Sequence, residues 1–283
     1  TMAHSWVQMF DSEYEAFKTY LTLYPQNAVL LVDTYHALRS GVPNAIRAIH
    51  EVLVPQGIRS CAIRLDSGDL TYQSKQARLM LDAAGLPWCK IVVTNALDEY
   101  LIENLLAEGA PVDMFGVGER LITAKSDPVL GGVYKLAAAQ DASGALQPRI
   151  KVSENVTKIT NPCFKKLWRL YDRETGKAIA DVITLHNETI DDTSAYEIFD
   201  PEHIWKRKTV ENFHAVELQK PLFRAGECVY DLPSVEESRR YCQEQIGTMW
   251  DEVLRFENPH KYYVDLSQPL WDEKQRLLSE YSR

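Results

Sequence analysis

The sequence lacks any apolar run close to the length that crosses a bilayer, and its first residues do not form a secretory signal peptide. A membrane-spanning helix needs about 20 consecutive apolar residues, so a protein that crosses the membrane on helices is excluded. We therefore expect a soluble, cytoplasmic protein that has no membrane partner.

Basic tracts are absent as well, and the formal net charge is −9. Nucleic-acid binding relies on clustered Lys and Arg side chains, so nucleic acid is not expected as a partner. A small anion needs only a few backbone amides and cations, and remains a candidate ligand. Cysteine is scarce, and its five residues form no CxxC pair, which predicts neither a disulfide framework nor a zinc site. They are Cys61, Cys89, Cys163, Cys228 and Cys242.

Four short apolar runs alternate with segments of helical spacing in the first half of the chain. The runs lie at 29–32, 61–63, 91–93 and 114–115. Their continuous apolar character predicts strands of a parallel sheet, buried on both faces. Apolar stripes at 45–53 and 101–106 predict helices between them. Only four or five strand–helix units are visible, whereas a closed barrel needs eight. The predicted fold class is α/β, with an irregular (β/α) barrel that is incomplete at its N-terminus.

From about residue 133 the pattern changes. The prediction there is strands at 133–137, 167–171 and 179–183 and helices near 233–247 and 269–282. A turn at 173–176 indicates an antiparallel hairpin. This half is expected to be an additional α+β portion, so the predicted domains are 1–132 and 133–283.

Polar residues and glycines follow the four apolar runs. In chain order they are Asp33, Arg64, Asp66, Asn95, Gly116 and Gly118. In a (β/α) barrel these strand ends share the face that holds the chemistry. Asp33 and Asp66 offer oxygen ligands for Mg²⁺ on a polyphosphate, Arg64 can bind a carboxylate, and the two glycines can bring amides close to a phosphate. The residues alone leave structural alternatives open, namely helix caps and turns for the aspartates, including Asp69, and an Arg64–Asp66 ion pair.

His4 lies three residues from the first residue of the chain. A histidine can be a nucleophile or a general base, and an isolated one is more often only exposed or hydrogen-bonded. The residue by itself does not decide between these interpretations.

Eight motifs occur in the order found in one enzyme family. They are TMAHSWV (1–7), LLVDTYHALRSGVPNAI (30–46), RLDSGDL (64–70), TNALDEY (94–100), FGVGERLITA (115–124), PVLGGVYKL (128–136), KVSENVTKITNP (151–162) and YYVDLSQPL (262–270). Together they resemble nicotinate phosphoribosyltransferase. That family joins nicotinate to 5-phosphoribosyl 1-diphosphate in the salvage of nicotinate to NAD, with ATP as co-substrate and Mg²⁺ as cofactor. The products are nicotinate mononucleotide, diphosphate, ADP and phosphate.

The resemblance also implies roles for the candidate residues. His4 is the histidine that ATP phosphorylates, Thr1 contacts nicotinate, and Arg64 faces the nicotinate carboxylate. The resemblance further implies that Asp33 and Asp66 serve the region that binds the ribose, the diphosphate and magnesium. It also implies that Asn95 binds substrate and that the amides of Gly116 and Gly118 bind phosphate. A homodimer with active sites shared between subunits is implied as well.

The chain departs from the family pattern at three positions and in its length. His36 replaces a common Asp, Ala96 replaces an acidic residue, and Glu119 replaces a Thr. Family members carry a substantial segment before the TMAHS motif, so we expect this chain to be the C-terminal part of a longer enzyme. Two alternatives stay open, a sibling enzyme that uses nicotinamide and a catalytically silent fragment that acts as a binding or assembly partner.

Overall fold

A computed structural model of the chain describes residues 1–129 and 131–281. The chain divides into two compact units, Thr1–Gly131 and Gly132–Arg283. The first unit contains α1 (His4–Gln8), α2 (Glu13–Leu23), β1 (Ala28–Leu31), a π-helical turn (Ala37–Gly41), α3 (Val42–Val52), a 3₁₀ turn (Val54–Gln56), β2 (Cys61–Leu65), α4 (Leu70–Ala83), β3 (Lys90–Val93), α5 (Glu99–Ala107), β4 (Met114–Phe115) and α6 (Glu119–Ile122). No helix within the described ranges has the length and apolar character needed to cross a membrane.

The first unit is built on a four-stranded sheet in the order β1-β2-β3-β4. All three strand pairs are parallel. Leu30, Ile63 and Ile91 stand side by side in this register and are fully buried. The predicted α/β class is confirmed. In the described residues the strands form an open sheet, so a closed barrel stays a prediction.

The two faces of this sheet are unequally covered. Side chains alternate along a strand, and the face opposite Leu30 and Ile63 carries Val29 and Val92, which are half-buried. Met114 on the same face is 43% exposed. Leu31 and Ala62 on this face are buried, at 0% and 3% exposure, so the expected burial on both faces holds for only part of the sheet. The half-open face is where a strand can accommodate the charged side chain of Arg64.

The helices follow the apolar stripes with one exception. In α3 the stripe residues Ala45, Ile49 and Val52 are buried, as the spacing predicts. In α5 Leu105 is buried, but Leu106 is 54% exposed. Asp69 caps α4, since its Oδ1 accepts a 2.9 Å hydrogen bond from the Tyr72 amide. The structural interpretation of Asp69 is therefore the correct one.

The second unit is an α+β assembly. It contains β5 (Ala138–Gln140), β6 (Leu146–Pro148), a 3₁₀ turn (Val156–Lys158), β7 (Lys165–Asp172), β8 (Ala178–Leu185), β9 (Tyr196–Phe199), β10 (Arg207–Val210), β11 (Phe213–Glu217), β12 (Phe223–Arg224), β13 (Glu227–Cys228), α7 (Val235–Gly247), α8 (Asp251–Leu254), β14 (Val264–Leu266) and α9 (Gln268–Tyr281). Its main sheet has the order β11-β7-β8-β14. The β7–β8 hairpin is antiparallel, as predicted.

A strand predicted at 133–137 is wrong. The backbone there is irregular, and β5 begins only at Ala138. Val133 and Tyr134 are 74% and 92% exposed. Apolar and β-branched composition gives this segment strand propensity, but a strand also needs a pairing neighbour, and none is assigned to 133–137 within the described residues.

A buried ion pair joins β7 to β8 and to the YYVDLSQPL motif. Arg169 donates to both carboxylate oxygens of Asp181, from Nε at 2.7 Å and from Nη2 at 3.0 Å. The Tyr262 hydroxyl donates to the same carboxylate at 2.8 Å. A buried pair is tolerated when its remaining hydrogen-bonding capacity is filled, and Tyr262 contributes to that. The motif near the C-terminus therefore has a structural role in the second unit.

Asp265 in β14 is buried with one carboxylate oxygen unpaired. Its side chain is 3% exposed, and its Oδ1 has no hydrogen-bond partner in the structure. Burial and the negative charge of Asp200 raise the pKa of Asp265 to about 6. The Lys261 ammonium opposes this shift only partly.

We predict that Asp265 makes the chain less stable as the pH rises from about 4 to 6. The folded state keeps the Asp265 proton to a higher pH than the unfolded state does, so the free energy of unfolding falls through this window. Asp265→Asn removes the effect and should be more stable than the parent at pH 8, by up to about 3 kcal/mol for a shift of about two pKa units.

Urea titrations at pH 4.5 and pH 8 measure this difference. The gain of Asp265→Asn should shrink towards pH 4.5, and the exposed Asp231→Asn is the matched control. An equal change in both variants at both pH values would contradict the prediction.

Candidate active site

The parallel register brings the two predicted aspartates together. Asp33 follows β1, and its Oδ2 accepts hydrogen bonds from the Asp66 amide at 2.9 Å and the Ser67 hydroxyl at 2.7 Å. Asp66 follows β2, and its Oδ1 accepts a hydrogen bond from the Thr94 hydroxyl at the end of β3. The ends of three adjacent strands are thereby tied together by side chains.

His4 lies over the same strand ends. Its Nε2 is 3.7 Å from Oδ2 of Asp66, and its Nδ1 is 3.0 Å from Oγ1 of Thr34. The segment is held in place by Met2 and Val7, which flank His4 and are buried in the apolar core of the first unit. The side chains of His4 and Asp66 are 40% and 35% exposed, so a ligand can reach both.

Arg64 projects from β2 towards the first residue of the chain. Its Nη1 donates to the Thr1 hydroxyl at 3.2 Å, and that hydroxyl donates to the Val29 carbonyl at 3.2 Å. Within the described residues no ion pair joins Arg64 to Asp66, so the Arg64–Asp66 pair does not form.

Two polar atoms of the site are buried and have no hydrogen-bond partner. They are Nε of Arg64 and Oδ1 of Asp33. An unpaired buried polar group costs about 1 to 3 kcal/mol, and native structures seldom leave one without a reason. Nε of Arg64 can donate to a carboxylate of a ligand. Oδ1 of Asp33 can bind a cation or accept a hydrogen bond from a hydroxyl group.

The two glycines contribute differently. The Gly116 amide donates to the Val93 carbonyl at 2.8 Å, so it is committed to the sheet and not available to a phosphate. A Cβ at Gly116 would lie 2.5 Å from Cγ2 of Thr94, so the missing side chain makes room for that threonine. Gly118 precedes α6, is exposed, and has no atom within 4 Å of an added Cβ.

Asn95 has an unusual backbone at the end of β3. Its φ is 114°, a conformation that only glycine adopts readily. Its side-chain oxygen accepts a 2.8 Å hydrogen bond from the Ala96 amide, and both residues are exposed. Asn95 therefore lies at the rim of the strand ends, and no hydrogen bond within the described residues joins it to another candidate residue.

His36 and Glu119, the other two departures from the family pattern, point outward. The His36 side chain is exposed, and its carbonyl accepts the amides of Ser40 and Gly41 in the π-helical turn. The Glu119 side chain is 76% exposed, and its Oε1 lies 3.7 Å from Nζ of Lys125. The charge of Glu119 is therefore turned towards a lysine.

Three hydroxyl residues of the site were missed in the sequence. They are Thr34, Ser67 and Thr94, each adjacent in sequence to a candidate residue. Their signal was their position at the strand ends, where a short hydroxyl side chain can hydrogen-bond to a polar side chain of a neighbouring segment.

Another group of metal-ligating side chains lies in the second unit. Ligand atoms of Asp200, Glu202 and His203 lie within 4.8 Å of one another. Lys261 Nζ is 3.3 Å from Glu202 and 3.9 Å from Asp200, so an ammonium group already offsets part of the negative charge of these carboxylates.

Comparison with known proteins identifies relatives of the chain. Residues 164–274 match the family model of the nicotinate phosphoribosyltransferase C-terminal domain. The nicotinate phosphoribosyltransferase of Bacillus subtilis (strain 168) is 41% identical over 280 residues, which are 99% of this chain and 56% of the relative. The chain is therefore similar to nicotinate phosphoribosyltransferases over nearly its whole length. The resemblance of the motifs is thereby confirmed.

Human relatives agree in sequence and in fold. The human nicotinate phosphoribosyltransferase is 33% identical, over 91% of this chain and 48% of the relative. The crystal structure of human nicotinic acid phosphoribosyltransferase matches with a TM-score of 0.71 and 30% identity, over 93% of this chain and 49% of that chain. The chain spans about half the length of the curated relatives it matches.

We predict that Gly116→Ala disrupts the site and Gly118→Ala does not. The added methyl of the first variant meets the Thr94 side chain, and overpacking of this kind costs about 1 to 3 kcal/mol. Urea unfolding of the two variants measures the difference. Equal free energies of unfolding would show that Thr94 moves aside without cost.

Proposed function

We propose that this chain provides the phosphohistidine, arginine and aspartate machinery of a nicotinate phosphoribosyltransferase. The reaction joins nicotinate to 5-phosphoribosyl 1-diphosphate, giving nicotinate mononucleotide and diphosphate, while ATP is hydrolysed to ADP and phosphate. The observation that carries the proposal is the convergence of His4, Arg64 and the two aspartates at one edge of the sheet. The reaction itself is inferred from the similarity to nicotinate phosphoribosyltransferases.

Arg64 is the proposed partner of the nicotinate carboxylate. Its Nε is buried without a hydrogen-bond partner, and Thr1 holds the guanidinium through Nη1. A guanidinium pairs well with a carboxylate, and the charged hydrogen bond is shorter and stronger than a neutral one. Nicotinamide has no such charge, so Arg64 favours the acid.

The aspartates act on the ribose. The pyridine nitrogen of nicotinate forms a bond to C1 of the ribose as the bond from C1 to the diphosphate breaks, and the leaving group takes the electron pair. Positive charge builds on the ribose in the transition state. Fixed carboxylates aimed at developing charge stabilise it without reorganisation, and Asp33 and Asp66 are fixed by Ser67 and Thr94.

Asp33 also fits a magnesium ion better than Asp66 does. Its Oδ1 is buried and without a partner, whereas Oδ1 of Asp66 is taken by Thr94 and Oδ2 faces His4. Carboxylate oxygens are the ligands that Mg²⁺ prefers, usually together with substrate phosphates. When bound, the ion supplies positive charge that stabilises the departing diphosphate.

His4 is the proposed acceptor of the ATP phosphoryl group. A bond forms between a ring nitrogen and the γ-phosphorus while the bond to ADP breaks, and water later releases phosphate. A phosphorylated histidine places about two negative charges beside Asp66, and such a local change of charge can alter substrate binding and product release. The closed barrel and the homodimer with shared active sites belong to the same proposal, supported by the family resemblance alone.

A chimaera tests the proposal. In it, residues 1–283 replace the region of the Bacillus subtilis relative that they match, and the assay follows diphosphate release with nicotinate or nicotinamide. We expect turnover with nicotinate that ATP accelerates. Preference for nicotinamide would favour the sibling enzyme, and no turnover from a folded chimaera would favour a catalytically silent chain.

We predict that His4→Ala abolishes the acceleration by ATP and leaves a slower, ATP-independent transfer. Without the ring, no phosphoryl group is carried between ATP and the site. The rate of the chimaera with and without ATP measures this, with His50→Ala as the control. Full ATP acceleration in His4→Ala would contradict the assignment.

We predict that Arg64→Ala weakens nicotinate binding about ten- to a hundredfold and affects 5-phosphoribosyl 1-diphosphate much less. A charged hydrogen bond is worth about 1.5 to 3 kcal/mol, which corresponds to that range. Calorimetric titration of the chimaera with each substrate measures the change. Arg59→Ala is the matched control, because Arg59 is exposed and precedes β2 at the opposite end of the strand. Equal losses for both substrates would mean that Arg64 supports the site only indirectly.

A further inference from the structure

Two buried cysteines face each other at the beginning of β2 and immediately before β3. The Cys61 thiol donates to Sγ of Cys89 at 3.5 Å, and both residues are free thiols. Ala62 pairs with Lys90 in the parallel ladder, so the two cysteines stand opposite each other one position earlier. Neighbouring strands lie about 4.8 Å apart, which falls within the Cα separation of about 4.4 to 6.8 Å that a disulfide spans.

The backbone of both cysteines is held in place. Arg78 in α4 donates to the Cys89 carbonyl from Nη1 at 2.7 Å and to the Leu86 carbonyl from Nη2 at 3.0 Å. Cys61 is the first residue of β2 and pairs with Ala28 of β1. A shift of about 0.7 Å by each sulfur reaches the bond length of about 2.05 Å of a disulfide. Small side-chain rotations can supply that shift while the strands stay in place.

Cys61 is the thiol that a small oxidant can reach. It is 7% exposed and lines a cavity of about 390 Å³ at the start of the strands, whereas Cys89 is fully buried. Arg59 and Lys90 are exposed and line the same cavity, so it attracts an anionic oxidant. The hydrogen bond to Cys89 and burial raise the pKa of the Cys61 thiol. Its nucleophilic thiolate is therefore scarce, and its oxidation is slow.

We propose that Cys61 and Cys89 are a redox modification site that closes into a reversible disulfide between β2 and β3. The oxidant is a small anionic disulfide, of the class of oxidised glutathione. The Cys61 thiolate bonds to one sulfur of the oxidant, and the breaking sulfur–sulfur bond releases a first small thiolate. The Cys89 sulfur then bonds to the Cys61 sulfur and releases the second, and the two protons of the pair pass to the released thiolates. Two protein thiols are oxidised, and one small disulfide is reduced to two thiols.

Closure fixes the strand register and does not depend on the proposed function. The cross-link joins residues that are 28 positions apart, encloses α4, and lies at the opposite end of β2 from Asp66. In a reducing compartment the pair stays as thiols, so the cross-link adds stability only when small disulfides accumulate.

Oxidised glutathione applied to the 283-residue chain tests the pair. After alkylation of the remaining free thiols, peptide mapping should find Cys61 joined to Cys89, and dithiothreitol should separate them. Cys228 and Cys242 are exposed, so they should carry glutathione well before the cross-link forms. If the joined peptide is absent from an oxidised chain that circular dichroism shows to be folded, the inference is overturned.

Two variants test the order of the steps. Cys89→Ala should keep glutathione on Cys61, because no neighbouring thiol displaces it. Cys61→Ala should leave Cys89 unmodified, because the buried thiol is out of reach of the oxidant. Glutathione on Cys89 in Cys61→Ala overturns the assignment of Cys61 as the accessible thiol.

Urea titration tests whether the cross-link fits the folded sheet. The oxidised parent should unfold at a midpoint about 1 to 2 M higher than the reduced chain, since a cross-link over this span restricts the unfolded state. The two alanine variants carry the same exposed cysteines and should show no such rise after oxidation. An unchanged or lower midpoint in the cross-linked parent overturns the inference that the disulfide fits between β2 and β3.

Discussion

The parallel register of β1 to β4 is the constraint on which the candidate site depends. Because Leu31, Arg64 and Val92 stand in one row across the sheet, the residues that follow these strands emerge at the same edge. Asp33, Asp66 and Thr94 are distant in sequence and meet there through hydrogen bonds. A slip of one residue would turn every side chain to the other face and would remove Arg64 from the site.

Contacts at this edge form a continuous series from the backbone to His4. Gly116 has no side chain where Thr94 packs, Thr94 donates to Asp66, and Asp66 faces the ring of His4. Gly116 therefore affects the site indirectly, because its missing side chain leaves room for Thr94. Two of the buried polar atoms that lack partners, Nε of Arg64 and Oδ1 of Asp33, lie at this edge, where the proposed ligands bind.

Much of this was predictable from particular residues. Continuous apolar runs define the four strands, and the polar residues after them define the site. The sequence failed where the outcome depends on distant pairing. The Gly116 amide was expected to bind phosphate, but the pairing of β3 with β4 commits it to Val93. The segment 133–137 has strand composition without a strand neighbour. Asp265 is buried because β14 joins β8 from about 80 residues away along the chain, which no local pattern reveals.

The position of bound nicotinate tests the central claim most directly. A crystal structure of the chimaera with nicotinate should show the carboxylate within hydrogen-bond distance of the Arg64 guanidinium, at the edge where His4 and the two aspartates meet. Nicotinate bound elsewhere, for example in the cavity of the second unit lined by Trp250 and Tyr262, with Arg64 still bound only to Thr1, would contradict the account.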